Sequence, residues 1–275
     1  MRCSHHRQSL RGVCATAAGG SRWCTRLLAV ALAIVALAGG ARGVAQDPAH
    51  RPAGSSEGDF ETQRERMVET QIVARNISQP EVLRAMRTVP RHLFVPEPER
   101  ALAYGDHAVQ IGHGQTISQP YVVALMTALL DLDGSEEVLE IGTGSGYHSA
   151  VLSRIARRVY SVEILDALAN RARKTLAELA YDNIEIRVGD GYNGWPEEAP
   201  FDAIVLTAAP KEIPRPLLEQ LRVGGRMVAP VGGFFQDLRL ILKTEDGIEE
   251  HSIEAVRFVP MTGRAEGKPK RQPPR

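Results

Sequence analysis

The residues best placed to do chemistry lie in a few short stretches. In Val138-Leu139-Glu140-Ile141-Gly142-Thr143-Gly144-Ser145-Gly146-Tyr147 an apolar run meets three closely spaced glycines. Glycines at Gly142, Gly144 and Gly146 let a ligand approach the main chain, and a helix starting just beyond them would aim its free N–H groups at that ligand. A second apolar run, Val159-Tyr160-Ser161-Val162-Glu163, ends in a carboxylate about 20 residues later, where an acid accepts the two hydroxyls of a ribose. The pair predicts a nucleoside site. Asp190 and Gly191, in Gly189-Asp190-Gly191 after a third apolar run, are placed to meet an adenine amino group, although Asp-Gly alone is an ordinary turn. The glycine spacing is GxGxG; Tyr147 or Ser149 stands where the third glycine of a dinucleotide GxGxxG would be. No GxxxxGK[ST] phosphate loop occurs, which argues against ATP and GTP. A nucleoside site without a pyrophosphate fingerprint suggests S-adenosylmethionine.

The elements that must position these residues follow from periodicity. Helices are expected over 60–75, from Ser78 as N-cap with Val82, Leu83 and Met86 facing inward, over 121–130, 149–158, 165–179 and 214–221. Strands are expected at 137–141, 159–163, 184–188, 203–207 and 226–231, the last entered through Gly224-Gly225. Strands alternating with helical stretches indicate βαβ units and an α/β, doubly wound, Rossmann-like and mostly parallel sheet. Apolar stretches at 238–243 and 248–256, joined by Glu245-Asp246-Gly247, close it with an antiparallel hairpin. Residues 89–119 are rich in Pro, Gly and His and read as long loops or short strands, a length that usually carries function. The expected organisation is a leader-like segment 1–45, a linker 46–58, an N-terminal helical and loop cap with a substrate loop 59–120, a cofactor domain 121–262 and a disordered basic tail 263–275.

Composition narrows the classes further. The chain has 275 residues, 43% hydrophobic and 24% charged, enough for a buried core and unlike a disordered or many-span membrane chain. Residues 1–45 hold six Arg and no acid, which leaves 27 basic against 33 acidic side chains beyond them. An acidic body lacks the basic face that nucleic acids and anionic membranes require. All three cysteines, Cys3, Cys14 and Cys24, lie in the leader, so a Cys nucleophile, a body disulfide and a thiolate metal site are excluded, and no HExxH or close His pair offers another metal site. Arg22 and Arg26 before an apolar run at 27–38 and the small residues at 39–45 read as a signal-like segment, short for a membrane span. The alternative is an upstream extension of a chain that starts nearer Met67.

One family brings these pieces together. Glu140-Ile141-Gly142-Thr143-Gly144-Ser145-Gly146-Tyr147 resembles the first motif of class I methyltransferases. Gly114-Gln115-Thr116-Ile117-Ser118-Gln119-Pro120, with Val89-Pro90-Arg91-His92-Leu93-Phe94-Val95-Pro96, resembles the protein-L-isoaspartate (D-aspartate) O-methyltransferases. Phe201-Asp202-Ala203-Ile204-Val205-Leu206-Thr207-Ala208-Ala209-Pro210 and Val256-Arg257-Phe258-Val259-Pro260 match the same family, so the resemblance runs from Met67 to Pro260. It implies methyl transfer from S-adenosylmethionine to the free carboxylate of L-isoaspartyl residues in damaged proteins, which starts their repair, with D-aspartyl residues as a further acceptor. Ser118 then becomes the catalytic residue, with Gln115, Thr116 and His113 beside it and Val256, Arg257 and Phe258 as a substrate wall. Glu140, Gly142, Thr143, Gly144, Gly146, Glu163, Asp190 and Gly191 become cofactor residues, with no metal.

Bland roles compete with these. Ser118 could cap the following helix, His113 could be a solvated loop residue, and Trp195 could cover the nucleoside or pack under Pro196. The histidines His92, His107, His113, His148 and His251 have no triad or metal spacing, and an ionised acceptor needs no base. Phe60, Phe94 and Tyr104 show no stacking pattern for nucleic acid. Rival functions are a methyltransferase for a small acceptor and a non-catalytic cofactor module; Thr207-Ala208-Ala209-Pro210 lacks the Asn/Asp-Pro-Pro-aromatic signature of base methylases. The expected partners are damaged proteins or peptides, with no nucleic acid and no stable membrane span, and the expected state is a monomer. The donor is made inside cells, so the expected compartment is the cytoplasm, with a periplasmic or membrane-tethered location as the alternative that the leader suggests.

Overall fold

The computed structural model describes residues 56–266; the leader, most of the linker and residues 267–275 lie outside the described residues. Helix α1 (Glu57–Met67) opens on a capping box in which Ser56 and Asp59 exchange hydrogen bonds, and runs on through a wider turn at Val68–Ile72 to Arg75. Helix α1 thus starts inside the segment expected as linker 46–58, because Ser56 supplies a cap. Helix α2 (Pro80–Thr88) has Gln79 at its cap position with no side-chain bond. Ser78 is therefore not the N-cap: Pro80 at the first helical position starts the helix through its fixed φ and needs no donor partner.

A two-stranded hairpin follows, β1 (Val109–Gly112) and β2 (Gln115–Ile117), and leads into α3 (Pro120–Leu130). The main sheet contains β3 (Glu137–Ile141), β4 (Arg158–Glu163), β5 (Ile184–Val188), β6 (Phe201–Leu206), β7 (Leu221–Gly232), β8 (Gln236–Thr244) and β9 (Gly247–Val256). Between these strands lie α4 (Tyr147–Ser153), α5 (Asp166–Glu178) and α6 (Arg215–Gln220). The order is β5-β4-β3-β6-β7-β8-β9, parallel through β7 and antiparallel for β8 and β9. That is the doubly wound sheet with a closing hairpin that the periodicity predicts. Helix α4 ends at Ser153 and not at 158, since the Arg157 and Arg158 N–H groups bond to the Glu136 carbonyl and turn the chain into β4.

Alternation along the strands covers both faces of the sheet. Leu139, Ile141, Tyr160 and Val162 pack with Trp195, Phe201 and Leu217 on one side, and Val138, Val159, Ala203 and Val205 pack with Met126, Leu130 and Leu152 on the other. The cap joins this second side: Met67, Ile72, Val82, Met86, Phe94 and Ile111 share a core with Tyr147, Val151 and Leu168. Burying a full Leu- or Phe-sized side chain contributes about 1.5–3 kcal/mol, so the cap is fastened by many such contacts. Residues 263–266, expected in the disordered tail, form a short helical turn whose Arg264 N–H bonds to Asp190. Among the described residues no helix is long and apolar enough to cross a membrane.

Candidate active site

The strand order reverses direction between β3 and β6, and in open α/β sheets a ligand crevice opens beyond the strand ends at such a point. A pocket lies there, lined by Ile141, Gly142, Thr143 and Gly144 after β3, Glu163 and Leu165 after β4, Gly191 after β5, and Thr207 after β6. The glycine loop is held by its own main chain: the Gly142 N–H bonds to the Val162 carbonyl at 2.8 Å and the Gly146 N–H to the Thr143 carbonyl at 2.8 Å. Gly142 has φ +101°, and a Cβ there would overlap the Thr207 hydroxyl, which bonds to the Gly142 carbonyl. Only glycine satisfies both demands.

Glu163 ties the loop to the next turn. One carboxylate oxygen accepts the Gly144 N–H at 2.8 Å and the other the Leu165 N–H at 2.9 Å. A carboxylate offers about four acceptor directions, so each oxygen retains capacity for a ribose hydroxyl. Beneath the loop, Glu140 is fully buried and accepts hydroxyl bonds from Ser149 and Ser161, and Ser161 pairs with Thr143 at 2.6 Å. Burial pushes the Glu140 carboxyl up to about 7, against those two hydroxyls, which pull it down. Its other oxygen has no partner among the described residues. Glu140 thus supports the loop from below and does not line the pocket.

Ser118 stands on the opposite wall with Gln115, Thr116 and Ile117. The β1–β2 hairpin that carries this wall is anchored where Arg171 of α5 donates to the Ile111 carbonyl at 2.6 Å. The Ser118 carbonyl accepts from Arg91 Nη2 at 2.6 Å, while Arg91 Nε bonds to the Ala103 carbonyl and the guanidinium lies 4.7 Å from the centre of the Tyr147 ring. Arg91 is fully buried, and that burial lowers its pKa to about 10, still charged at neutral pH. Ser118 does not cap α3: its first turn starts with Pro120 and Gln119 at the cap position makes no side-chain bond.

A second cleft adjoins the first. It is lined by Val256, Arg257 and Phe258 with Arg75, Tyr121 and Glu254, and it shares Thr116, Ser118, Thr207 and Val259 with the first pocket. Its mouth is braced by polar contacts: Arg75 pairs with Asp106 and stacks over Tyr121 at 4.6 Å, Gln119 donates to Asp106 at 2.7 Å, and the Tyr121 hydroxyl reaches Glu254 at 3.3 Å. Cofactor candidates and substrate candidates therefore meet along one wall, and Ser118 is on it.

Some candidates fall elsewhere. His113 is exposed at the hairpin tip with φ +54° and lines neither cleft. Asp190 is buried beside Gly191, but its carboxylate accepts the Tyr192 N–H at 3.1 Å and the Arg264 N–H at 3.0 Å, and it is not part of the pocket lining. Trp195 packs edge-on against Tyr160 at 5.5 Å in the core. Phe60 stacks on His92 at 4.1 Å, and Phe94 and Tyr104 are buried in the cap. His148, to which the sequence assigns no role, lines the pocket. It shares a hydrogen bond with Thr127 at 3.1 Å, and burial lowers its pKa to about 3, so it is neutral. Thr207, Ile141 and Met261 also line the pocket; Thr207 sits at the end of a strand beside the glycine loop, a position that strand order alone would have marked.

Comparison with known proteins agrees with this geometry. The profile of the protein-L-isoaspartate(D-aspartate) O-methyltransferases matches residues 62–266. The chain belongs to this family. A protein-L-isoaspartate O-methyltransferase of Syntrophobacter fumaroxidans is 54% identical over 207 residues, which cover 75% of this chain and 97% of that one. The enzyme of the same name from Opitutus terrae is 53% identical over 202 residues, covering 73% and 87%. Among solved structures, a beta-aspartate methyltransferase of Plasmodium falciparum in complex with S-adenosyl-L-homocysteine superimposes with a TM-score of 0.63 at 25% identity, covering 72% of this chain and 98% of that one. The chain is thus an S-adenosylmethionine-dependent protein-L-isoaspartate O-methyltransferase, acting on isoaspartyl residues for repair. The cradle fits this donor: a glycine loop whose close approach a side chain would block, facing a carboxylate with spare acceptor capacity.

Proposed function

We propose that methyl transfer takes place across the wall of Thr116, Ser118, Thr207 and Val259, with the donor in the first pocket and the isoaspartyl carboxylate in the second cleft. The shared position of Ser118 carries this reading. Gly142, Thr143, Gly144, Glu163 and Gly191 hold the donor, while Glu140 and Asp190 brace the loops beneath; Gly146 does not line the pocket but lets the loop pack on α5, where a Cβ would press on Ala172 and Leu176. When bound, S-adenosylmethionine supplies an electrophilic methyl group on a sulfonium.

The acceptor resembles a chain-terminal carboxyl, with a pKa of about 3.5, so it arrives ionised and the chain needs no general base. Ser118 donates its hydroxyl hydrogen to one carboxylate oxygen and leaves the other free to be aimed along the transfer axis. Alignment of this kind is the main lever for a reaction between two bound groups. Opposite charges are neutralised as the methyl moves, so the apolar lining of Ile117, Val123, Ile141 and Val162 favours the step by excluding water. Gln115 and Thr116 flank the acceptor, and Val256, Arg257 and Phe258 hold the flanking polypeptide, partly through main-chain pairing.

D-aspartyl residues belong to the same acceptor class. The acidic body fits a protein acceptor better than nucleic acid, and donor supply favours the cytoplasm, with a leader-directed periplasmic or tethered form as the alternative; the working unit is read as a monomer. The test is methyl transfer from labelled donor to two peptides that differ only in one aspartyl or isoaspartyl linkage. Base-labile label on the isoaspartyl peptide alone is the expected result. Label on neither peptide, with donor binding intact, would move the acceptor to another class of molecule.

A further inference from the structure

The turn between β7 and β8 carries the most exposed large apolar side chains among the described residues. Phe234 and Phe235 are 91% and 86% exposed, with their rings edge to face at 5.1 Å; the next is Val223 at 54%. Single exposed apolar residues are ordinary, but two adjacent phenyl rings held out together form a patch that calls for a partner.

The turn is fastened at its base. Gly232 has φ +136°, a Cβ there would overlap the Phe235 carbonyl, and its N–H bonds to the Pro210 carbonyl at 3.0 Å. Gln236 then acts as a clamp. Its amide donates to the carbonyls of Gly233 at 3.3 Å and Phe258 at 3.1 Å, and its side-chain oxygen accepts the Phe258 N–H at 2.7 Å. Phe258 lines the same cleft as Ser118. The strand β7 runs parallel to β6, so the turn also projects from the edge of the sheet at which Thr207 and the glycine loop lie. Gln236 therefore ties the turn that carries the two rings to the main chain of the acceptor wall.

We infer that Phe234 and Phe235 form a docking site for apolar side chains of the same polypeptide that carries the isoaspartyl residue. The inference rests on the reading of the second cleft as the acceptor cleft. Two phenylalanines supply roughly 150–250 Å² each, about 300–500 Å² on one partner, short of the roughly 800 Å² per partner of a standard interface between proteins. That area suits a brief contact with one or two side chains of a substrate. An apolar side chain freed from a core is available in a locally unfolded or damaged protein and hidden in an intact one, so the tip would bias the enzyme toward the chains that need it.

The test uses isoaspartyl peptides of polar sequence in which a single leucine is walked away from the isoaspartyl residue on either side. For the best leucine position the wild-type chain is expected to show a KM about tenfold below that of the all-polar peptide, the gain from burying much of one aliphatic side chain. The double variant Phe234→Ser/Phe235→Ser should lose this difference and keep both its kcat and its KM for the all-polar peptide. Equal KM values for all peptides in the wild type, or a preference that survives the double substitution, would overturn the inference. So would a change from dimer to monomer in the variant, or loss of binding to phosphatidylglycerol vesicles, with peptide kinetics unchanged. Phe258→Ala separates the two readings: if it leaves KM for the all-polar peptide unaltered, the acceptor-cleft assignment fails, whatever the leucine scan shows.

Discussion

The two walls of the site, proposed to hold the donor and the acceptor, are built differently. The donor wall is local: Gly142, Gly144 and Gly146 lie within one turn, and the carboxylate that completes it, Glu163, ends the adjacent parallel strand β4. Its geometry is set by main-chain bonds and by the absence of side chains. The acceptor wall is assembled from distant segments, with Arg75, Ser118, Thr207 and Phe258 brought together, and a buried guanidinium at Arg91 holds the Ser118 carbonyl. The donor wall is thus a property of a strand–loop–helix unit that many sheets could carry, whereas the acceptor wall exists only when cap and sheet have docked. Substitutions should separate along that line.

The largest effect is expected at Gly142. Gly142→Val forces a β-branched residue into a left-handed conformation and into the Thr207 hydroxyl. Donor affinity should fall by about 100-fold or more, given the ~1–3 kcal/mol of each strain or lost contact. Calorimetric titration with S-adenosylhomocysteine checks this, with circular dichroism to confirm the fold. A variant that binds normally would remove the distinction between a wall made of main chain and one made of side chains.

Next comes Arg91, which touches neither reactant and is a positioning residue. Arg91→Met removes a charged donor to the Ser118 carbonyl, and bonds of that kind are worth about 1.5–3 kcal/mol. We expect kcat to fall about tenfold or more and thermal stability to drop, with donor affinity close to wild type. Arg91→Lys, which restores one donor, should recover part of kcat. Loss of donor affinity in step with kcat would show that the two walls are coupled.

How legible each wall is from sequence follows from the same contrast. The glycine loop, the β4 carboxylate, the sheet and its closing hairpin are written in contiguous stretches, and apolar runs that end at a glycine place β3 and β5 at the observed residues. The acceptor wall has no such local signal. Ser118, Val256, Arg257 and Phe258 stand out only through likeness to a family, since the bonds that unite them join residues far apart in the chain. The same reason hides the part played by Arg91, which as a sequence feature is one cation in a proline-rich loop. Glu140 and Asp190 were readable as acids next to the site but not as supports, because spacing does not reveal which way a strand residue points. The Ser56 cap and the Arg264 contact were missed because polar termini look alike whether or not they dock.

A smaller effect concerns the buried acid beneath the donor wall. With a folded pKa of about 7 against an ordinary value of 4.5, Glu140 keeps its proton in the folded state over a range where the unfolded chain has lost it. The folded state then binds more protons, so stability declines as pH rises from about 4.5 to about 7 and levels off above that. Glu140→Gln removes this dependence. In denaturant titrations across that window, the variant should gain stability relative to wild type as pH rises; a constant difference would mean that Glu140 is ionised in the fold throughout.

The most direct test of the division between the walls pairs Ser118→Ala with Glu163→Ala and reads donor binding and methyl transfer on each. Ser118→Ala is expected to bind S-adenosylhomocysteine as the wild type does and to lose about tenfold in kcat on an isoaspartyl peptide, the worth of one hydrogen bond to a charged group. Glu163→Ala is expected to lose donor affinity by a similar factor, with kcat largely recovered at saturating donor. Equal loss of donor affinity in both variants would contradict the account, because Ser118 would then belong to the donor wall.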